Sequence, residues 1–506
     1  MAEKNNNMLS EKVPFETALD RAGFGLYSYI MTSLAGFTII SFACVVYAST
    51  IIVPSSACEL ATTTSQQGLL AAGPVVGSTL GGLMWGYLAD TRGRRKMILF
   101  GLLGGVTFNL IAAISVNWAM LLVFQFVASL FASGMYSMSM SLLSESVPMA
   151  KRNLVVLLVS SIFLLSQGLM AVLAIPILPL SFSHYLPALG IYWNSWRTLL
   201  VVYSVPSIVT FIWMLFMKES PKFVYVKGDE DRAIAILRTI HRVNNLRSKE
   251  ELQVSGLIPE ANAISGPIST KDQIVPLFKT PLLKYTIIMI TLFTFQQVGA
   301  FLVWLPTIAD QFVRILQTGE NLDLAMCGII ALEVPVDVDA VPCALNETSL
   351  LAVGGVHSLV NFLLFLAINA TGRRNMVLAV TTVCGVSGIL VNLVPSAIGS
   401  AILFVVLSTG IVVIGFYTAI IVTLFPTHLR ALAIALPMTF GRLGTFASIQ
   451  ILNLLLANSC DAGFYLFASL FASSAIIASF LPDDRRLQKP APAPEIKEEN
   501  SDTTEN

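Results

Sequence analysis

Asp90-Thr91-Arg92-Gly93-Arg94-Arg95-Lys96-Met97 lies between two apolar runs, and Asn369-Ala370-Thr371-Gly372-Arg373-Arg374-Asn375-Met376 lies between two others. Both octets carry Gly-Arg-Arg followed two residues later by Met, and they stand 279 positions apart, 369 against 90. A second echo follows each: Glu145, Pro148 and Arg152 are matched by Thr423, Pro426 and Arg430 at an offset of 278. Two independent motifs with nearly one offset describe a duplicated chain, each half repeating one succession of apolar runs and basic turns.

Outward from these turns, twelve runs of roughly twenty apolar residues can be read, each long enough to cross about 30 Å of hydrocarbon. Their approximate bounds are 29–53, 68–88, 97–116, 119–143, 154–178, 196–217, 285–309, 350–369, 376–395, 401–424, 431–457 and 463–481. Lipid offers no hydrogen-bond partners, so runs this long must satisfy their backbone internally as helices. Charged residues are 12% of the 506-residue chain and apolar residues 55%, with 30 basic against 30 acidic side chains. Soluble domains use about a quarter charged residues, which argues against a soluble enzyme. The absence of a basic excess argues against a nucleic-acid partner. The expectation is an all-α membrane protein of twelve transmembrane helices, built as two six-helix bundles, with the lipid bilayer as a partner.

With both termini cytoplasmic, 27 of the 30 Lys and Arg fall on inside segments, leaving Arg197 and Arg314 outside and Arg442 within a span. That bias fixes the expected orientation. Residues 1–28 form a cytoplasmic segment without an apolar core, so the first span is the expected insertion signal. The bundles cover 29–217 and 284–481, the second interrupted by an outer loop at 310–349. Between them, linker 218–283 holds an amphipathic helix from Asp229 to Asn244, with acids at its start and Arg238, His241 and Arg242 at its end. The tail 482–506 is Pro-rich, then acidic, and reads as disordered.

The stretch from Gly86 to Lys96 resembles the signature loop between the second and third helices of the major facilitator superfamily. Within it, five motifs resemble synaptic vesicle glycoprotein 2 and related organic-ion transporters, particularly insect-type members: Gly23-Phe24-Gly25, Ser195-Trp196-Arg197, Glu219-Ser220-Pro221-Lys222-Phe223, Leu424 through Ala431, and Gly441-Arg442-Leu443-Gly444. The likeness runs over nearly the whole chain, although the outer loop after the seventh span is shorter than in the vertebrate vesicle glycoproteins. The resemblance implies the major facilitator fold, working by alternating access around a cavity lined mainly by the first, fourth, seventh and tenth helices. The expected location is the plasma membrane or an intracellular vesicle membrane.

Gating is expected at the inner ends of the bundles: Gly86, Asp90, Arg92, Gly93, Arg94 and Arg95, then Glu145 and Arg152, and in the second half Arg373, Arg374 and Arg430. Asp90 can pair across the bundle interface, and a pair that forms in one state alone biases a rocking equilibrium; Asn369 replaces the acid in the second half, so an asymmetric gate is expected. The basic residues also serve to orient the helices. Arg442 is the basic side chain well inside a span, where it either recognises an anionic group or packs helices by bonding carbonyls beside Gly441 and Gly444. Polar and aromatic candidates for the solute are Tyr136, Ser141, Gln296, Gln297, Trp304, Asn361 and Tyr417, each of which also fits a role as interhelical glue. The glycines 77, 81, 82 and 86 read as close-packing positions, and the lone His357 as a packing residue.

Cys44 and Cys384 fall in spans, whereas Cys58, Cys327, Cys343 and Cys460 fall on the oxidising outer side, with Cys327–Cys343 the preferred disulfide. Asn346-Glu347-Thr348 is a glycosylation sequon on that side. Metal clusters, cofactor loops and catalytic constellations are not visible, so neither an enzyme nor a cofactor is expected. The function expected is transport of a small organic solute, such as an organic ion. The absence of a mid-span carboxylate favours a facilitator or exchanger. Rival readings are a sugar facilitator, from Gln296 and Gln297, and a non-transporting vesicle scaffold or receptor.

Overall fold

The computed structural model describes residues 12–57, 59–180, 182–246, 252–258, 275–296, 323–330, 371–425 and 429–482, with isolated positions between 301 and 364. Asp90 and Arg430 are described by backbone alone, and Gln297, Trp304, Cys343, Asn346, His357, Asn361 and the tail from 483 lie outside the described residues.

The first half runs α1 (Phe15–Ala22), α2 (Leu26–Val46), α3 (Ser49–Ser56), α4 (Thr64–Arg92), α5 (Arg94–Ala112), α6 (Trp118–Ala132), α7 (Met135–Ser144), α8 (Met149–Ala174) and α9 (Ser195–Phe216). The linker adds α10 (Pro221–Val226) and α11 (Glu230–Asn244). The second half contributes α12 (Leu282–Phe295), α13 (Met326–Ile330), α14 (Arg373–Leu390), α15 (Ala397–Thr409), α16 (Val413–Leu424), α17 (Arg430–Asn458) and α18 (Cys460–Ala478). Among the described residues, eight helical stretches are long and apolar enough to cross a membrane. Large apolar side chains such as Phe100, Phe216, Leu454 and Ile476 stand on the outside of the bundle, as a surface facing hydrocarbon requires.

Several spans are broken, and the breaks have local causes. The fourth span divides at Ser133-Gly134, where Trp85 of α4 presses in: a Cβ on Gly134 would collide with the Trp85 side chain, while the Trp85 indole donates to the Leu130 carbonyl at 2.8 Å. The tenth span divides at the 3-10 turn Gly410–Val412 between α15 and α16. Gln296, at the end of α12, donates its amide to the Gly410 carbonyl at 2.9 Å. These two breaks coincide under the 278-residue offset of the repeat, 134 against 412, so the duplication extends to the irregularities of the helices.

Polar glue joins the helices within the first half. Gln125 donates to Asn109 at 2.9 Å, and Asn109 donates to Ser204 at 2.9 Å and to the Leu200 carbonyl at 3.1 Å, linking α6, α5 and α9 in a buried chain. The α4–α6 contact depends on small residues, since a Cβ on Gly77 or Gly81 would run into the carbonyls of Phe126 and Leu130 respectively. Gly82 instead faces Arg442, and Gly86 has open space around it, so close packing holds at Gly77 and Gly81 and does not extend to Gly86.

At the end of the bundle where the basic turns lie, the chain before the first span and the linker fold together. Strands β1 (Lys12–Pro14) and β4 (Gly256–Ile258) pair in parallel; a separate hairpin, β2 (His184–Leu186) with β3 (Ile191–Trp193), precedes α9. The amphipathic helix is α11, N-capped by Asp229, which accepts from the Arg232 N–H at 3.1 Å; it buries Ala233, Ile234, Ile236, Leu237 and Ile240. Its last residue, Asn244, accepts from the Tyr27 N–H at 3.0 Å and donates to the Gly23 carbonyl at 2.6 Å, clasping the turn that enters α2. Gly25 leaves room for this clasp, because a Cβ there would sit 2.5 Å from the Asn244 carbonyl oxygen.

Gly81→Val is expected to lower the thermal unfolding midpoint of the purified protein markedly, because overpacking of this kind costs about 1–3 kcal/mol or more. Gly86→Ala should leave the midpoint nearly unchanged.

Candidate functional site

Three groups of side chains collect the sequence motifs. The first lies at the basic end. Gly93 joins α4 to α5 with φ +103°, a conformation suited to glycine, and Gly372 opens α14 in the same way with φ +80°. A Cβ on Gly93 would meet the Glu219 carboxylate at 2.6 Å. That carboxylate accepts from the Arg95 N–H at 2.9 Å and from the Ser220 N–H at 3.1 Å. The Arg95 guanidinium donates to the Leu215 and Met214 carbonyls at 2.8 and 3.2 Å, capping the end of α9. In the second half Arg374 donates to the Ser479 carbonyl at 2.6 Å, just past α18, and Arg373 donates to the Ala419 carbonyl at 2.9 Å. The repeated turn therefore makes the repeated contact: its second arginine closes the end of the last helix of each half.

Arg94 pairs with Glu145 at 3.1 Å and stands over the Phe223 ring at 5.1 Å, while Ser220 also donates to Glu145. Arg152 does not join Glu145; it pairs with Glu16 of α1 at 2.6 Å, and Lys222 reaches the same carboxylate at 3.1 Å. Asp20 accepts from the Met149 N–H at 2.9 Å at the start of α8. Burial would raise the Glu16 carboxyl, but Arg152 and Lys222 outweigh it and hold it below its ordinary value. Glu16 and Glu219 carry weight that the sequence alone did not assign; Glu219 had been visible as part of a motif.

The second group lies where the halves meet. Gly441 lets α17 press on α12, a Cβ there lying 3.1 Å from the Phe293 carbonyl oxygen. The next residue, Arg442, crosses to the first half and donates to the Ser78 carbonyl of α4 at 2.8 Å. Gly82 leaves space for it, with a Cβ position 3.1 Å from the guanidinium. Tyr47 stands at the α2–α3 break. Tyr47 belongs to an aromatic cluster with Phe42, Tyr136 and Phe163, whose ring centroids lie 5.4 to 6.2 Å apart. Tyr136 thus belongs to an aromatic cluster of the first half. Ser141 lies in the last turn of α7, its carbonyl accepting from the Glu145 N–H at 3.0 Å, which puts it beside the basic-end network. Tyr417 is buried against Phe293, and Gln296 is buried with its amide on Gly410.

The third group is at the opposite end. Arg197, expected as an outer residue opening the sixth span, is fully buried. It pairs with Glu59 at 2.7 Å and donates to the Ala113 and Ser115 carbonyls at 2.8 and 2.9 Å, capping α5. Trp196 donates to Glu59 at 2.6 Å, and the guanidinium lies 4.3 Å from the Trp196 ring centroid. The acid lies in a loop between spans, where sequence gives no signal of its partner. The disulfide at this end also differs from expectation: Cys327 of α13 is bonded to Cys460 at the start of α18, Cα atoms 5.8 Å apart, and not to Cys343. The cause is packing: the Cys327 N–H donates to Asn392 at 3.1 Å, just past α14, and α14 packs along α18, so the fold delivers Cys327 to Cys460. Cys44 and Cys384 are buried free thiols.

Two outcomes follow. Glu59→Ala should destabilise the protein by about 3–5 kcal/mol in chemical unfolding, since it strands a buried guanidinium charge, and adding Arg197→Met should recover part of the loss. For Glu16, a carboxyl held below its ordinary 4.5 stabilises the fold above that pH and loses the contribution as pH falls through the depressed folded value. The excess melting temperature of wild type over Glu16→Gln should therefore be constant near neutrality and vanish in acid.

Comparison with known proteins accords with this geometry. The sequence profile described as Major Facilitator Superfamily matches residues 34–449. Relatives include Homo sapiens "Putative transporter SVOPL", 24% identical over 92% of this chain and 91% of that protein. Mus musculus solute carrier family 22 member 6 is 24% identical over 81% and 67% of the two chains, and Homo sapiens synaptic vesicle glycoprotein 2B is 25% identical over 49% and 36%. Among solved structures, the inward open conformation of the xylose transporter XylE from E. coli superposes with a TM-score of 0.64 at 14% identity, covering 90% of this chain and 97% of that one. The fold is the twelve-helix major facilitator fold. With most of its length matched and its basic turns repeated in both halves, this chain belongs to the Major Facilitator Superfamily, and within it is similar to synaptic-vesicle-glycoprotein-2-like and organic-ion-transporter-like proteins.

Proposed function

We propose that this transporter moves a small organic solute bearing an anionic group, by alternating access, as a facilitator or exchanger. The observation that carries the reading is the Arg442 bond across the halves to the Ser78 carbonyl. A guanidinium on a backbone carbonyl keeps its full charge, and a carboxylate or sulfonate offers it a stronger bidentate partner. Exchange of Ser78 for the solute would loosen α17 from α4, giving binding a differential effect on the two states. Aromatic rings at Phe42, Tyr47, Tyr136 and Phe163 would take the apolar body of such a solute.

The basic end faces the cytoplasm in this reading, supported by the 27 of 30 cations on that side. The ion pairs Arg94–Glu145 and Arg152–Glu16 then hold the first half as one rigid body while it rocks, with Asp90, Arg92 and Arg430 as further gate residues. The membrane is the plasma membrane or a vesicle membrane. The sugar reading is the weaker one, since the Gln296 amide is engaged by Gly410.

The test is untargeted mass spectrometry of solutes accumulated by cells expressing the wild type, Arg442→Ala or Arg442→Lys at equal membrane abundance. Anionic organic solutes should accumulate in wild type, and both variants should lose at least tenfold of the uptake, because lysine lacks the planar fork. Accumulation that hexoses compete away would favour the sugar facilitator. No accumulated solute in any of the three would favour a non-transporting scaffold.

A further inference from the structure

The basic end holds a cavity of about 380 Å³ between the start of α5, the end of α9 and α11. Arg92, Arg95, Lys96, Lys218 and Arg232 line it, with Glu219 as the one lining acid. Glu219 is already held by the N–H groups of Arg95 and Ser220, and Arg95 is partly engaged on the end of α9. Topological preference would put cations on this end of the bundle, but it does not require five of them, drawn from four separate segments, around one concavity. Their mutual repulsion opposes the packing of α11 on the bundle unless an anion sits among them.

We propose that this cavity binds the phosphorylated headgroup of an anionic phospholipid. A lipid is favoured over a free phosphate compound by what lies at the mouth. Phe216, 78% exposed, and Leu215 stand at the rim, and the exposed side chains Val205, Ile208, Val209 and Ile212 continue from them along α9 at helical spacing. Phe100 and Leu103 of α5, which packs beside α9, add exposed apolar surface on the adjoining helix. A phosphate among the cations therefore has an acyl-chain path along the hydrocarbon-facing side of the bundle. The several cations match a headgroup carrying more than one phosphate better than a zwitterionic one. The occupant would bridge α5, α9 and α11 and hold the linker helix against the first half. This inference is independent of which solute is transported.

The test uses the full-length protein in phosphatidylcholine nanodiscs, with dioctanoyl phosphatidylinositol 4,5-bisphosphate as probe and native mass spectrometry or fluorescence titration as readout. Each cation near an anionic headgroup contributes about fivefold to affinity. The triple variant Lys96→Gln, Lys218→Gln, Arg232→Gln should therefore weaken binding at least tenfold. A charge-matched triple at Lys151, Arg242 and Lys279, which do not line the cavity, should stay within about twofold. Equal loss in both triples would overturn the site in favour of diffuse surface attraction. Inositol trisphosphate or inorganic phosphate binding as tightly as the lipid would overturn the lipid assignment and leave a free-phosphate site. Absence of binding by any of the three probes would overturn the proposal altogether. A measurement that needs no variant is crosslinking of a diazirine-tagged phosphoinositide to the wild type: peptides covering Leu215–Phe223 and Arg232–Thr239 should carry the label, and labelling confined elsewhere would overturn the proposal.

Discussion

Backbone carbonyls that a helix leaves unpaired find no water in hydrocarbon, and much of the side-chain chemistry of this protein answers that constraint. At five span ends and breaks a named donor reaches the exposed carbonyl: Arg95 at the end of α9, Arg374 past α18, Arg197 past α5, Trp85 at Leu130 and Gln296 at Gly410. Guanidinium groups suit the helix ends because they oppose the negative pole of the helix and snorkel toward headgroups. The arginines that orient the helices are thus also the groups that finish them, so orientation and stability are not separable roles here.

The same constraint explains why the repeat persists in some features and not in others. The Gly-Arg-Arg turn needs its left-handed glycine and its carbonyl-capping arginine in both halves, and both halves keep them. The carboxylates of the first half serve side chains: Glu145 takes Arg94 and Ser220, and Glu16 takes Arg152 and Lys222. Thr423 stands at the position corresponding to Glu145, so the Arg94–Glu145 pair has no counterpart of the same chemistry. The folded cap of α1, α10, α11 and the β1–β4 ladder is built on the first half, where Glu16, Asp20 and Asn244 fasten it to α8 and α2.

Arg442 differs from Arg95, Arg197, Arg373 and Arg374 in bonding a helix of the opposite half. In the proposed alternating access, a bond made between the halves is lost or exchanged when they move, whereas one within a half is carried along. That distinction, more than its depth in the apolar sequence, sets it apart from Arg197. Arg197 is more deeply buried, yet its partners all lie within the first half.

The sequence by itself determined the class, the spans, the duplication, the amphipathic linker helix and the basic turns. These depend on local quantities: apolar length against bilayer thickness, helical periodicity, and glycine where φ is positive. It also marked Glu219, Trp196, Arg197 and Arg442 as members of motifs, without their partners. Only the tertiary structure decided the partners: Arg152 with Glu16 and not Glu145, Cys327 with Cys460 and not Cys343, Glu59 with Arg197, and Asn244 with the entrance to α2. These contacts join residues up to 217 positions apart, and they are selected by which helix ends come to lie side by side in the bundle, a result of whole-helix packing that no local pattern encodes.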